Sequence, residues 1–263
     1  MSGAEAQHAA TLLWRARRAA PRAPLGRLAA HPQTMEQGIA AQVALAGLQG
    51  AARPAGFKIG ATARRMQEYL GLSGPAAGFM AEAGLHGSGS TLASAGFFRP
   101  GVECELAVHL ARDLPGPCTP DQAREAVDRV MAAIEIVENR YEDLAGFGAP
   151  AMVADQVFHA AAVLGEPYAD WRALDLQALE GRITVDGVVR GEGFGRDLLG
   201  GPFHALAWLA GSAEAAAFGG LRAGQVVMLG SVCPPVWLEP PARVEVAFAP
   251  LAPVRVALVS SAP

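Results

Sequence analysis

Nine residues beginning at Val102 restrict what this chain can fold into more than any other segment. In Val102-Glu103-Cys104-Glu105-Leu106-Ala107-Val108-His109-Leu110 every even position is apolar. This is the two-residue period of a half-buried strand, not the 3.6-residue period of a helix. Such a strand must belong to a sheet that covers a core, and Glu103 and Glu105 must project from one face of it.

Around this strand the chain reads as helices first and strands afterwards. Residues 3–20 and 34–50 are Ala-rich with apolar residues at helical spacing, separated by the Pro-containing stretch from Pro21 to Pro32. A strand at about 55–60 leads to a short helix with Thr62 as its N-cap and Gly71 as its stop. Residues 84–101 read as a loop. Thr119-Pro120-Asp121 opens a helix running to about 131, Ala133–Glu138 reads as a strand, and a helix is expected over about 150–164. Asp186-Gly187 between β-prone flanks signals a hairpin, and strands at about 225–230, 242–248 and 253–259 follow a helix near 203–217. The expected class is α+β with a core of mixed or antiparallel sheet. With no repeat and no linker-like tract, residues 1–263 are expected to form a single catalytic domain, helical over about 1–53 and β-rich over about 54–263.

Composition closes several function classes. A net charge of −4 with no run of Lys and Arg argues against nucleic acid as a partner. No basic leader followed by an apolar stretch opens the chain, and about 18 apolar residues never run together, so a soluble, cytoplasmic protein without membrane partners is expected. Three widely spaced cysteines suit reduced thiols rather than a disulfide or zinc framework. No phosphate-cradling glycine motif is present.

Of the 21 basic residues 20 are arginine, and Lys58 is the only lysine. It lies in the apolar segment Gly56-Phe57-Lys58-Ile59-Gly60. A buried ammonium can release its proton, whereas a guanidinium stays charged, so a chain that otherwise uses arginine points to proton chemistry here. The competing account is a surface lysine whose stem lies along apolar neighbours. Glu103 and Glu105, side by side on one face, repel unless something positive sits between them. A divalent cation resolves that conflict, and Mg²⁺ suits oxygen ligands with positions left for substrate. Glu135 interrupts an otherwise apolar strand and offers a third carboxylate, while Glu138 falls on the opposite face. Spacing alone leaves open that Glu103 and Glu105 decorate a solvated face and that Glu135 pairs with an arginine.

Taken in order, Gly56-Phe57-Lys58-Ile59-Gly60, Glu103-Cys104-Glu105, Glu135-Ile136-Val137 with Arg140, and Ala154-Asp155 resemble the 2-oxopent-4-enoate hydratase group of the fumarylacetoacetate hydrolase superfamily. Gln42, Gly230-Ser231 and Pro235-Val236-Trp237 extend the resemblance over most of the chain. It implies a mixed β-roll with N-terminal helices in a homo-oligomer, Mg²⁺ or Mn²⁺ held by Glu103, Glu105 and Glu135, and a catalytic Lys58. The implied reaction is hydration of a 2-hydroxydienoate to a 4-hydroxy-2-oxo acid. Decarboxylation of a 2-oxo diacid and carbon–carbon hydrolysis of an acylpyruvate use the same chelated 2-oxo acid, and a non-catalytic structural or activating subunit is the alternative outside catalysis. Association with a decarboxylase or aldolase of the same pathway is compatible with each of these.

Further candidates surround this set. Asp155 could orient Lys58 or pair with an arginine. Ser231 could hydrogen-bond the substrate carboxylate or simply form its turn. His31 and His86, in loops, could serve a lid as acid or base. Where family members often carry Asn or Ser after the Ala-Asp pair, this chain has Gln156, Val157, Phe158 and His159; Phe158 and His159 read as helix-face residues, and Gln156 as a contact to substrate. The acid just before a methionine that the group tends to carry is also displaced here, with Glu82 followed by Ala83 and Gly84. Both departures bear on the substrate.

Overall fold

The computed structural model describes residues 2–19, 24–25 and 31–260. Most of the Pro21–Pro32 connection therefore lies outside the described residues. Two helices come first, α1 (Gly3–Arg18) and α2 (Met35–Leu48), each opened by a side-chain cap, Ser2 and Thr34 respectively. They pack on each other. β1 (Gly56–Gly60) follows, then α3 (Arg64–Leu70) and β2 (Ala76–Met80). α3 ends where expected, with Gly71 left-handed at φ 68°, but Thr62 does not cap it: the N-cap position is Ala63, with no side-chain bond.

Two short strands, β3 (Leu85–Gly87) and β4 (Ser90–Ala93), correct the expected loop over 84–101. β5 (Pro100–Leu110) is the alternating strand. α4 (Pro120–Ala126) is capped by Thr119 and stops earlier than expected, because β6 (Val127–Glu138) already begins at Val127. The expected helix over 150–164 is half right: α5 (Leu144–Ala154) ends at Asp155, and after a tight turn the chain runs on as β7 (His159–Leu164). β8 (Glu180–Val185) and β9 (Val188–Phe194) form the hairpin, with Asp186 and Gly187 both at positive φ as a two-residue turn demands. α6 (Pro202–Ala210), α7 (Ala213–Ala217), β10 (Val226–Ser231), β11 (Val236–Trp237), β12 (Ala242–Phe248) and β13 (Val254–Val259) complete the chain.

The strands form two mixed sheets. The larger is ordered β2-β1-β10-β5-β6-β7-β3, with β11 paired to β5; the smaller is ordered β4-β13-β12-β8-β9. They meet through β12 on β6 and β8 on β5. Val102, Cys104, Leu106 and Val108 of β5 join Ile183, Val244 and Phe248 in the core between them. That packing leaves the odd positions of β5 to the opposite face, where Ala107 clusters with Met80, Met131, Ala133, Ala162 and Met228. Among the described residues no helix is long and apolar enough to cross a membrane.

Candidate active site

Antiparallel pairing of β5 with β6 sets Glu103 directly opposite Glu135, and Glu105 opposite Ala133. One ligand oxygen from each of Glu103, Glu105 and Glu135 lies within 4.8 Å of the others. Like charges placed opposite each other in a sheet destabilise it, and the consequence is visible in the carboxyls. Burial and the Glu135 charge push Glu103 up to about 8. Burial, Glu135 and Glu103 push Glu105 well above the ordinary carboxylate range. Burial acts against ionisation of Glu135 too, but Lys58 and His159 overcome it and draw Glu135 down to about 2.

Lys58 is 1% exposed and pairs with Glu135, its Nζ lying 3.1 Å from Oε1. The same ammonium donates to the carbonyl of Val157 at 2.6 Å. His159 approaches Glu135 Oε1 through Nδ1 at 2.8 Å. Burial pushes the imidazole below its ordinary value despite the glutamate beside it, and facing an ionised carboxylate oxygen, which can only accept, Nδ1 is the donor. Glu105 Oε2 accepts from the Gly230 amide at 2.9 Å, an amide turned inward by the bulge between Met228 and Ser231 in β10.

Two buried carboxylate oxygens remain without a hydrogen-bond partner, Glu105 Oε1 and Glu135 Oε2. Buried polar atoms are rarely left so. Three converging carboxylates, no sulfur ligand and two unsatisfied oxygens fit a hard divalent cation with open coordination positions, and Glu103, Glu105 and Glu135 are the residues that could hold it.

The turn after α5 delivers two of these contacts. Gln156, Val157 and Phe158 all have positive φ, at 61°, 53° and 66°. Left-handed backbone costs a side-chain-bearing residue about 1–2 kcal/mol, most for a β-branched one. Several bonds hold the turn. Gln156 Nε2 donates to Phe79 O and Gln156 Oε1 accepts from Gln49 Nε2, at 2.9 and 2.8 Å. Arg17 of α1 donates to the carbonyls of Asp155 and His159, one at each end. Gln42 of α2 ties Val153 O to Ala77 O. Gly60 and Gly78 leave room: a Cβ at Gly60 would lie 2.8 Å from Val157 Cγ1, and one at Gly78 2.6 Å from Gln156 O. The N-terminal helices thus position the lysine's acceptor.

Other expected site residues fall elsewhere. Asp155 does not meet Lys58: its carboxylate accepts from Arg17 Nε at 2.8 Å, from Arg140 Nη2 and from the Tyr141 hydroxyl at 3.0 Å. Gln156 is buried in the turn and does not line the cleft beside Lys58. His86 pairs in register with Val163 on β3, half-buried, also away from that cleft. His31 bonds the Phe147 carbonyl. Ser231 does line the cleft, but its hydroxyl donates to Cys233 O at 2.7 Å and accepts from Cys104 N at 3.1 Å. Phe158 and His159 lie in no helix face, because the helix stops at Ala154. The sequence reading missed the His159–Glu135 contact, the Val157 carbonyl and Arg17. Its one signal for them was the departure from the family pattern at 156–159.

Above Glu103 a cleft opens in two lobes that share Gly60, Ala61, Met66, Tyr69 and Pro235. Lys58 borders the smaller lobe and Ser231 the larger.

A family model, fumarylacetoacetate (FAA) hydrolase C-terminal, matches residues 58–259. The chain is 33% identical over 186 residues to a 2-hydroxyhexa-2,4-dienoate hydratase of Comamonas testosteroni, covering 69% of each chain. It is 35% identical over 187 residues to a 2-keto-4-pentenoate hydratase of Burkholderia vietnamiensis, covering 70% of each. Among solved structures, 4-oxalocrotonate decarboxylase from Pseudomonas putida G7, complexed with magnesium and adipate, superposes with a TM-score of 0.88 at 22% identity over 98% of this chain and 99% of that one.

Proposed function

The chain belongs to the fumarylacetoacetate hydrolase family, and from that premise we propose that it is a divalent-metal-dependent hydro-lyase that hydrates a 2-hydroxydienoate to a 4-hydroxy-2-oxo acid. The observation that carries the reading is the conjunction of Lys58 Nζ, 3.1 Å from Glu135 Oε1, with three carboxylates converging within 4.8 Å. Glu103, Glu105 and Glu135 would hold Mg²⁺ or a similar ion. When bound, the ion supplies an electrophile for the carboxylate and 2-oxo oxygens of the substrate.

The remaining work falls to the protein. Glu135 Oε1 is fixed by Lys58 and His159 together, which leaves Oε2 as the oxygen that can face the ion. The Val157 carbonyl takes one ammonium proton of Lys58 and Glu135 another. A third is left for the cleft, which the lysine borders. Lys58 would deliver a proton to the far carbon of the diene as the 2-hydroxyl gives one up, converting the dienol to its conjugated ketone before water adds. Met66, Leu70, Val157 and Phe158 exclude bulk water around the reacting carbons. Asp155, with Arg17, Arg140 and Tyr141, acts as a positioning group for the 156–158 turn.

Decarboxylation of a 2-oxo diacid would use the same residues. Product analysis after incubation with Mg²⁺ separates the two: the hydratase product gains the elements of water, and a decarboxylase product loses carbon dioxide. A product lighter by carbon dioxide would replace this proposal.

A further inference from the structure

We infer that the smaller lobe of the cleft accepts the uncharged tail of a monocarboxylic substrate, so that the protein selects alkyl-ended 2-oxo acids over diacids. The inference rests on the reading of Lys58 and the three glutamates as a 2-oxo acid centre, and adds what lies at the far end of the substrate.

The lobe encloses about 270 Å³ beside Lys58 and Glu103. Met66, Leu70, Val137, Val157, Phe158 and Trp237 supply its apolar walls. Its polar side chains are Lys58, Glu103, Tyr69 and Asn139. Among the described residues Lys58 is its only cation, and that ammonium already faces Glu135 and the Val157 carbonyl and keeps its remaining proton for the reacting carbons. A second carboxylate at the far end of the substrate would lose water here and find no further cation among the described residues, a heavy desolvation cost. A methyl or ethyl group would gain from the same walls, by about four-fold in affinity per buried methylene.

The larger lobe, about 570 Å³, is no better suited to a second carboxylate. Among the described residues its one guanidinium, Arg65, is exposed at the lip, and Asp197 lines the same lobe. The apolar character of the smaller lobe comes from the 156–158 turn, from α3, from Val137 of β6 and from Trp237 of β11, four separate parts of the chain.

The test is calorimetric titration of the Mg²⁺-loaded protein with saturated 2-oxo acids of equal length, 2-oxohexanoate and 2-oxoadipate, and with the shorter 2-oxobutanoate. The methyl-ended six-carbon acid is expected to bind at least about ten-fold tighter than the diacid and tighter than the four-carbon acid. Tyr69→Arg, a change at a 72% exposed position on the rim, is expected to narrow the preference by about five-fold through its charge. Equal or tighter diacid binding, no gain with length, no binding of either six-carbon acid, or an unmoved ratio in Tyr69→Arg would each overturn the assignment. Hydration is tested separately, by turnover. Methyl-ended selectivity without dienoate turnover removes hydration and keeps the tail assignment; turnover with diacid preference does the reverse.

Discussion

Nδ1 of His159 lies 2.8 Å from Oε1 of Glu135, the oxygen that Lys58 also approaches. Two donors on one carboxylate oxygen fix the plane of that carboxylate, as outer partners of metal ligands commonly do. His159→Ala is therefore expected to weaken Mn²⁺ binding about 10–100-fold in calorimetric titration. His159→Asn, which keeps a donor near the same place, should recover most of the loss. Unchanged affinity in His159→Ala would show that the imidazole does not orient Glu135.

Lys58→Arg preserves charge next to Glu135 but removes a releasable proton. Turnover should fall by at least about 100-fold, the usual scale for losing a general acid–base group, while Mn²⁺ affinity stays within a few-fold of wild type. An active Lys58→Arg protein would refute the proton-transfer role.

Gly60 and Gly78, on the adjacent strands β1 and β2, both lie against the left-handed turn. A Cβ at Gly60 would crowd Val157 Cγ1 and lie 3.1 Å from Lys58 Nζ, while one at Gly78 would press on the Gln156 carbonyl. Each alanine variant should lose about 1–3 kcal/mol in urea unfolding. Gly60→Ala should also lower kcat, because its new methyl reaches the lysine.

Asp155 predicts an acid sensitivity. Burial alone would raise its carboxyl, but Arg140 and Arg17 hold it below the ordinary value of 3.8. In acid the unfolded chain therefore takes up the proton first, and the stabilisation, complete above roughly pH 5, is lost as pH falls through the folded value. The stability gap between wild type and Asp155→Asn should shrink from pH 5 to pH 3, and a gap that widens would contradict the pairing. At neutral pH, breaking this buried cluster with Arg140→Ala should cost about 3–5 kcal/mol.

Period-two alternation made β5 and its paired glutamates legible, since the pattern is local. Glu135 was visible as the charge in an apolar strand. Its cross-strand register with Glu103 was not visible, because pairing between strands is set by contacts distant in sequence. The 150–164 segment misled because a short buried apolar run carries no period that separates helix from strand. The break at Gln156–Phe158 is imposed by Arg17, Gln49, Phe79 and Lys58, none of them neighbours in the chain. Asp155 looked available for catalysis because neither Arg17 nor Arg140 announces its partner in the sequence. β3 and β4 escaped notice because each is held by pairing with a distant strand, β7 or β13.

The most direct test follows the dienol absorbance of a short 2-hydroxydienoate with protein stripped of metal by chelator, before and after Mg²⁺ is added. The account predicts no turnover in the stripped protein, and restored loss of absorbance with a 4-hydroxy-2-oxo acid as product once Mg²⁺ is present. Equal turnover with and without the ion, or none in either case, would contradict it.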